Sequence, residues 1–198
     1  DTNQVNPTTP ASKDGLSELI RNRREKLHQI KQIQQAFPND FRRTHLADDL
    51  QKSFQNFDKP LLEQKQTNVC VAGRMMLRRV MGKSSFFTLQ DMSGRIQIYA
   101  RKNQLVEGVY EHFVHWDLGD IVGVEGILFR TQTGELTVEA RVLRLLTKSL
   151  RPLPEKHKGL QDKETCYRQR YLDLMVNPET RQVFQMRSRI MQGIRRFF

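Results

Sequence analysis

GRMMLRRVMGKSSFFTLQDMSGRIQIYA, residues Gly73–Ala100, holds two runs in which polarity alternates at every step. In Ser85–Asp91, Phe87 and Leu89 share one side while Phe86, Thr88 and Gln90 share the other. In Arg95–Tyr99, Ile96 and Ile98 oppose Arg95, Gln97 and Tyr99. A period of two is the signature of half-buried strands, and Asp91-Met92-Ser93-Gly94 supplies the turn that joins them as a hairpin. If Gln90 faces Arg95, then Thr88 faces Gln97 and Phe86 faces Tyr99. Phe86 and Gln97 become diagonal neighbours, roughly 7 Å apart at the backbone. Arg78, on the preceding run, is expected outward together with Arg74. Gly82-Lys83-Ser84 resembles the end of a phosphate-binding loop, but that loop needs a glycine where Leu77 stands and a helix where a strand follows. It reads instead as a turn that leaves Lys83 free to reach a phosphate.

Outward from this hairpin, strands are predicted at 69–80, 85–91, 95–101, 120–131 and 135–147. Leu105, Val109, Phe113 and Trp116 have helical spacing, which predicts a helix over 103–116. Five strands with one helix between the third and fourth are the layout of an OB-fold barrel, whose second and third strands carry its oligonucleotide-binding face. The fold class is mainly β with flanking helices (α+β). The outer face of the hairpin suits an unpaired RNA base. Phe86 offers a ring to stack on, Gln97 offers a donor and an acceptor to a Watson–Crick edge, and Arg78 offers a charge-assisted bond. Taken singly, each residue also reads as ordinary surface or edge packing; it is their convergence on one face that points to binding.

The 198 residues carry 33 Lys and Arg against 22 Asp and Glu, a formal charge of +11, and 37% are hydrophobic. That balance favours nucleic acid as the partner. A membrane is disfavoured, because no apolar run approaches the roughly 20 residues that span a bilayer. Cys70 and Cys166 stand alone, without metal or disulfide spacing, which fits a reducing cytoplasm. Of the five histidines, at 28, 45, 112, 115 and 157, only His112 and His115 are close, and a surface or capping role suits them better than a metal. No catalytic constellation and no metal site is predicted.

Residues 1–13 are polar and proline-containing, which predicts a disordered tail. Residues 14–67 are expected to form a helical extension. Its first helix has an apolar stripe of Leu16, Leu19, Ile20, Leu27 and Ile30, with Arg21, Arg23, Arg24 and Lys26 largely outside the stripe. Arg21 and Arg24 are candidates for RNA-backbone contact, as is Lys83. A second, shorter helix capped by Thr44 is expected next, and then a loop over 56–67. The barrel occupies 68–149 and a proline-rich linker 150–161. Residues 162–198 hold two helical stretches, 162–175 and 178–198; the second, capped by Asn177, has an apolar stripe of Val183, Met186, Ile190, Ile194 and Phe197. Such a stripe needs a covering surface, so a larger domain is expected to follow it; the sequence starts without an initiating Met, so residues before Asp1 are expected too.

The segments RNRREKL, AFPNDF, VAGRMMLRR, MGKSSFFTLQD, GRIQIYA, WDLGDIVG, TQTGELTV, RLLTKSLRPLPEK and YRQRYLDLM, in this order, closely resemble the N-terminal half of bacterial class II lysyl-tRNA synthetases. The resemblance covers about residues 16–198, and RQRYLDL at Arg168–Leu174 resembles a signature shared with the aspartyl and asparaginyl enzymes. It implies that the barrel binds the anticodon of tRNA-Lys and that Phe86, Gln97 and Arg78 read its central uridine. It implies a further anticodon contact at Glu135, and a place for Arg21–Lys26 near the anticodon stem. It also implies that 162–198 begin a class II catalytic domain, with the last helix part of motif 1 and of a homodimer interface. ATP and Mg2+ are then expected for the full-length enzyme and no cofactor for this chain, which is expected to bind tRNA without charging it. The alternatives are an aspartyl or asparaginyl anticodon domain, a single-strand binder indifferent to sequence, and a partner protein that uses the last helix.

Overall fold

The computed structural model describes residues 13–154, 160 and 162–198. Residues 1–12 of the expected tail, and most of the second half of the expected linker with His157, lie outside the described residues. The chain divides into two compact units, one running to Pro152 and one from Leu153 to Phe198.

In the first unit, five strands close into a barrel: β1 (Asn68–Met81), β2 (Ser84–Gln90), β3 (Arg95–Arg101), β4 (Ile121–Arg130) and β5 (Leu136–Thr147), in the spatial order β1-β2-β3-β5-β4. The hairpin register is the predicted one, with Phe86 opposite Tyr99, Thr88 opposite Gln97 and Gln90 opposite Arg95. Alternation is what fixes it, because a slip of one residue would send Phe87, Leu89, Ile96 and Ile98, all at most 2% exposed, to the outside. They join Met75, Val122, Val124, Leu128 and Val138 in a single core. Closure depends on the three-residue parallel pairing of β3 with β5, Gln97–Tyr99 against Thr137–Glu139. It also depends on Gly126, which faces a bulge of β5 at Arg141 and where an added Cβ would lie 2.0 Å from the Glu139 carbonyl oxygen.

Helix α1 (Lys13–Ile33) is longer at its start than predicted, since Lys13 belongs to it. Its polar face is also divided differently. Arg23 is buried and donates to the carbonyls of Ser149 and Arg151, at 3.2 and 3.1 Å, while Lys26 pairs with Asp117 at 2.9 Å. Leu16, assigned to the packed stripe, is 42% exposed. Helix α2 (Ala47–Ser53) takes its cap from the hairpin turn rather than from Thr44: Ala47 N–H donates to Asp91 Oδ2 and Asp48 N–H to Ser93 Oγ. The expected loop over 56–67 contains helix α3 (Lys59–Lys65), whose N-cap Asp58 accepts from Leu61 N–H, with Pro60 in the first turn where proline is tolerated. The expected helix over 103–116 is much shorter. A 3-10 turn at Lys102–Gln104 is followed by α4 (Val109–Phe113), and Gly108 between them sits at φ +83, a left-handed conformation that an α-helix cannot continue through.

The second unit contains α5 (Lys163–Arg168), α6 (Arg170–Val176) and α7 (Pro178–Phe197). The single stretch predicted over 162–175 is broken at Gln169, which leaves helical geometry at φ −120, ψ 54. Asp173, 2% exposed, locks the α6–α7 junction by accepting from Arg170, from Asn177 Nδ2 at 2.6 Å and from Thr180 Oγ1 at 3.2 Å. Asn177 is therefore turned toward Asp173 and caps α7 without a side-chain bond to its backbone. The stripe of α7 is open to solvent, with Val183 66%, Met186 55% and Ile190 55% exposed.

Candidate nucleic-acid interface

Phe86, Thr88, Gln97 and Tyr99 lie half-buried on the outer face of β2 and β3, directly over the buried Phe87, Leu89, Ile96 and Ile98. Strand pairing extends this face. Thr137 and Glu139 of β5 register with Gln97 and Tyr99, and Phe129 and Ile127 of β4 register with Thr137 and Glu139. The result is a row of three rings. Phe86 stacks on Tyr99 with centroids 4.5 Å apart and planes 22° apart, and Phe129 lies tilted to Tyr99 at 6.1 Å.

Gln97 is held beside this row. Its Oε1 accepts from Thr137 Oγ1 at 2.9 Å, and among the described residues its Nε2 has no partner. An amide anchored by its oxygen presents its nitrogen as a fixed donor. Rotation of the threonine hydroxyl, which lies 3.1 Å from the Glu135 carbonyl, frees that oxygen to accept as well. The pair can therefore offer one donor and one acceptor to a base edge. Glu135 is exposed in the β4–β5 turn, two residues before Thr137.

Arg78 requires a correction. A β-bulge between Met75 and Leu77 shifts β1 by one residue, so that Arg78 registers with the inward Phe87 and Arg79 registers with Phe86. Instead of facing outward with Phe86 and Gln97, the Arg78 guanidinium donates to the carbonyls of Phe113 and Trp116, at 3.0 and 2.7 Å, and lies 5.8 Å from the Phe113 ring centroid. Burial pushes its pKa below the ordinary arginine value, against the opposing pull of Asp117 and Asp120. Arg74 is likewise turned away, toward the Gly119 carbonyl at 2.7 Å. Arg79, opposite Phe86, places an exposed cation on the ring face that strict alternation through the bulge could not have identified, and Arg95, on the Gln97 and Tyr99 side of β3, is exposed as well.

The backbone candidates are spread apart. Lys83 is exposed in the tight turn at Gly82, whose φ of +59 glycine alone adopts readily. Arg21 and Arg24 are exposed on α1. None of the three has a hydrogen-bond or ion-pair partner among the described residues, so their charges are available to an anion.

Behind the face, a charge network ties α1 to the barrel. Lys148, 4% exposed, reaches Asp117 at 2.6 Å and Asp120 at 2.8 Å, and Asp117 also binds Lys26. Burial opposes the Asp117 charge, but the bonds from Lys148 and Lys26 outweigh it and hold the carboxyl below its ordinary value. Among the described residues no three His, Cys, Asp or Glu gather as a metal ion would require. Nor, among them, is any helix long and apolar enough to cross a membrane.

Residues 69–146 match the tRNA anticodon family, described as an OB-fold nucleic acid binding domain. The chain is 58% identical over 183 residues to the heat-inducible lysine–tRNA ligase of Escherichia coli K12, which covers 92% of this chain and 36% of the relative. It is 56% identical to the lysine–tRNA ligase of Cronobacter sakazakii and 55% identical to a second lysine–tRNA ligase of Escherichia coli K12, over the same lengths. The chain thus spans about a third of the length of the curated relatives it matches. On sequence identity, barrel topology and domain match together, the chain is similar to the bacterial lysine–tRNA ligases and matches part of their N-terminal half.

Proposed function

We propose that this chain recognises the anticodon loop of tRNA-Lys, with its barrel reading the central uridine. The observation that carries this reading is the convergence of Phe86 and Gln97 on one outer face, in a register set by the buried residues beneath them. A base stacks on Phe86, and Gln97 with Thr137 supplies the donor and acceptor for its edge. Uridine presents an N–H between two carbonyl oxygens, so one amide can satisfy two adjacent positions; cytidine has an unprotonated nitrogen and an amino group there, and the same amide would have to reverse. Glu135 is assigned to a flanking base. Arg21, Arg24 and Lys83 are assigned to phosphates, which position RNA without reading it. Arg78, engaged with two carbonyls, is assigned to holding the corner after α4, and Arg79 takes its place as the cation beside Phe86.

Joining lysine to tRNA with ATP and Mg2+ is proposed for a protein of the relatives' full length. The exposed stripe of α7 is proposed as homodimer contact in that longer protein, in the cytoplasm. Replacing Gln97 by Ala tests the reading. The variant should bind loops with central uridine or cytidine about equally, whereas equal weakening on all loops with the preference intact would contradict it.

A further inference from the structure

We infer that Tyr99 is a positioning residue that acts on RNA through Phe86, fixing the phenyl ring so that one of its faces stays open to a base. This rests on the anticodon-loop reading above.

The two rings are unequally held. Tyr99 is confined on three sides: by Phe86 at 4.5 Å, by Phe129 at 6.1 Å, and by the Arg101 guanidinium at 5.5 Å from its centroid. Arg101 is itself fixed, since it ion-pairs with Glu139, the register partner of Tyr99 across the β3–β5 seam, and Glu139 also accepts from Arg141 at 3.0 Å. Phe86 has one ring neighbour among the described residues, and it is Tyr99. A phenyl side chain on the outside of a strand has several staggered settings. Only a setting parallel to Tyr99 keeps one face covered and the opposite face presented.

Removing the tyrosine ring should release that choice. If three settings then become about equally populated, the competent share falls to about one third, and affinity falls about threefold, because apparent affinity scales with the competent fraction. Loss through Phe86 has a signature that a direct contact lacks: it vanishes when Phe86 is already gone.

The experiment is a double-mutant cycle on this chain with Tyr99→Leu and Phe86→Ala, measured on an anticodon stem-loop with central uridine. It is accompanied by the χ1 couplings of Phe86 in the RNA-free protein. Tyr99→Leu should weaken binding about threefold and average the couplings, Tyr99→Phe should restore both, and Tyr99→Leu should add nothing to Phe86→Ala. Additive losses, or a single Phe86 setting retained without Tyr99, would overturn the inference. Should Tyr99→Leu fail to fold, Tyr99→Val, which suits a strand, replaces it under the same criteria. If the unaltered chain binds no stem-loop, the anticodon reading fails and the couplings alone decide whether Tyr99 holds the ring.

Discussion

At the scale of single residues, the difference between Arg78 and Phe86 follows from one inserted residue. Phe86→Ala removes a half-buried ring from the outer face, so it should cost about 1–3 kcal/mol of anticodon-loop affinity through lost stacking and leave the core residues in place. Arg78→Ala should do the reverse. It removes charged-donor bonds to two carbonyls, worth about 1.5–3 kcal/mol each by analogy with other such bonds, and should lower thermal stability while leaving the preference for uridine intact. A loss of preference with unchanged stability in Arg78→Ala would return that residue to the base-reading set. In their placement on the strands, Phe86 and Gln97 were legible in the sequence because the two β2–β3 runs alternate without interruption. Arg78 was not, because a bulge leaves no mark in a run where Met76, Leu77, Arg78 and Arg79 can be divided between faces in either phase.

At the scale of elements, local patterns predicted what is local. The strands and the hairpin register were legible from period-two alternation. The shortening of α4 followed from Gly108, whose left-handed backbone outweighs the helical spacing around it. The capping of α2 by Asp91 and Ser93 joins residues more than 40 positions apart, and no local pattern encodes such a partnership. The same holds for the Lys148 network. Lys148→Ala should destabilise the first unit by about 3–5 kcal/mol, since Asp120, fully buried, would be left without its cation. Urea unfolding followed by tryptophan fluorescence would measure this through Trp116, which adjoins Asp117. The acid response has a defined sign. Because the Asp117 carboxyl is depressed in the folded state, its contribution is complete above the ordinary carboxylate pKa and is lost as pH falls through the lower, folded value. Lys148→Ala should flatten that portion of a stability–pH profile, and an unchanged acid limb would show that the network does not set it.

At the scale of the whole molecule, the charge of +11 is not all equally available to an anion. Arg23 and Lys26 are committed to internal partners, so the basic helix has fewer free charges than its composition implies. Lys83→Ala and Arg24→Ala should each weaken binding to every stem-loop alike. If each cation meets one phosphate of a single-stranded segment, each should also reduce the slope of log K against log salt by about 0.7. A slope that stays fixed would place that residue away from the phosphates. The similarity to a nucleic-acid-binding domain was legible from the sequence motifs, whereas the continuation of the ring row to Phe129 depends on barrel closure and on pairing between distant strands.

One face of the barrel is proposed to read a uridine. The most direct measurement of this compares binding of this chain to a lysine-tRNA anticodon stem-loop with binding to the same stem-loop carrying cytidine at the central position, at one physiological salt concentration. A preference for uridine of about tenfold, some 1.4 kcal/mol, is the result predicted from edge reading by Gln97 and Thr137. Equal affinity for the two loops would contradict it and reduce the face to a stacking surface indifferent to the base it holds.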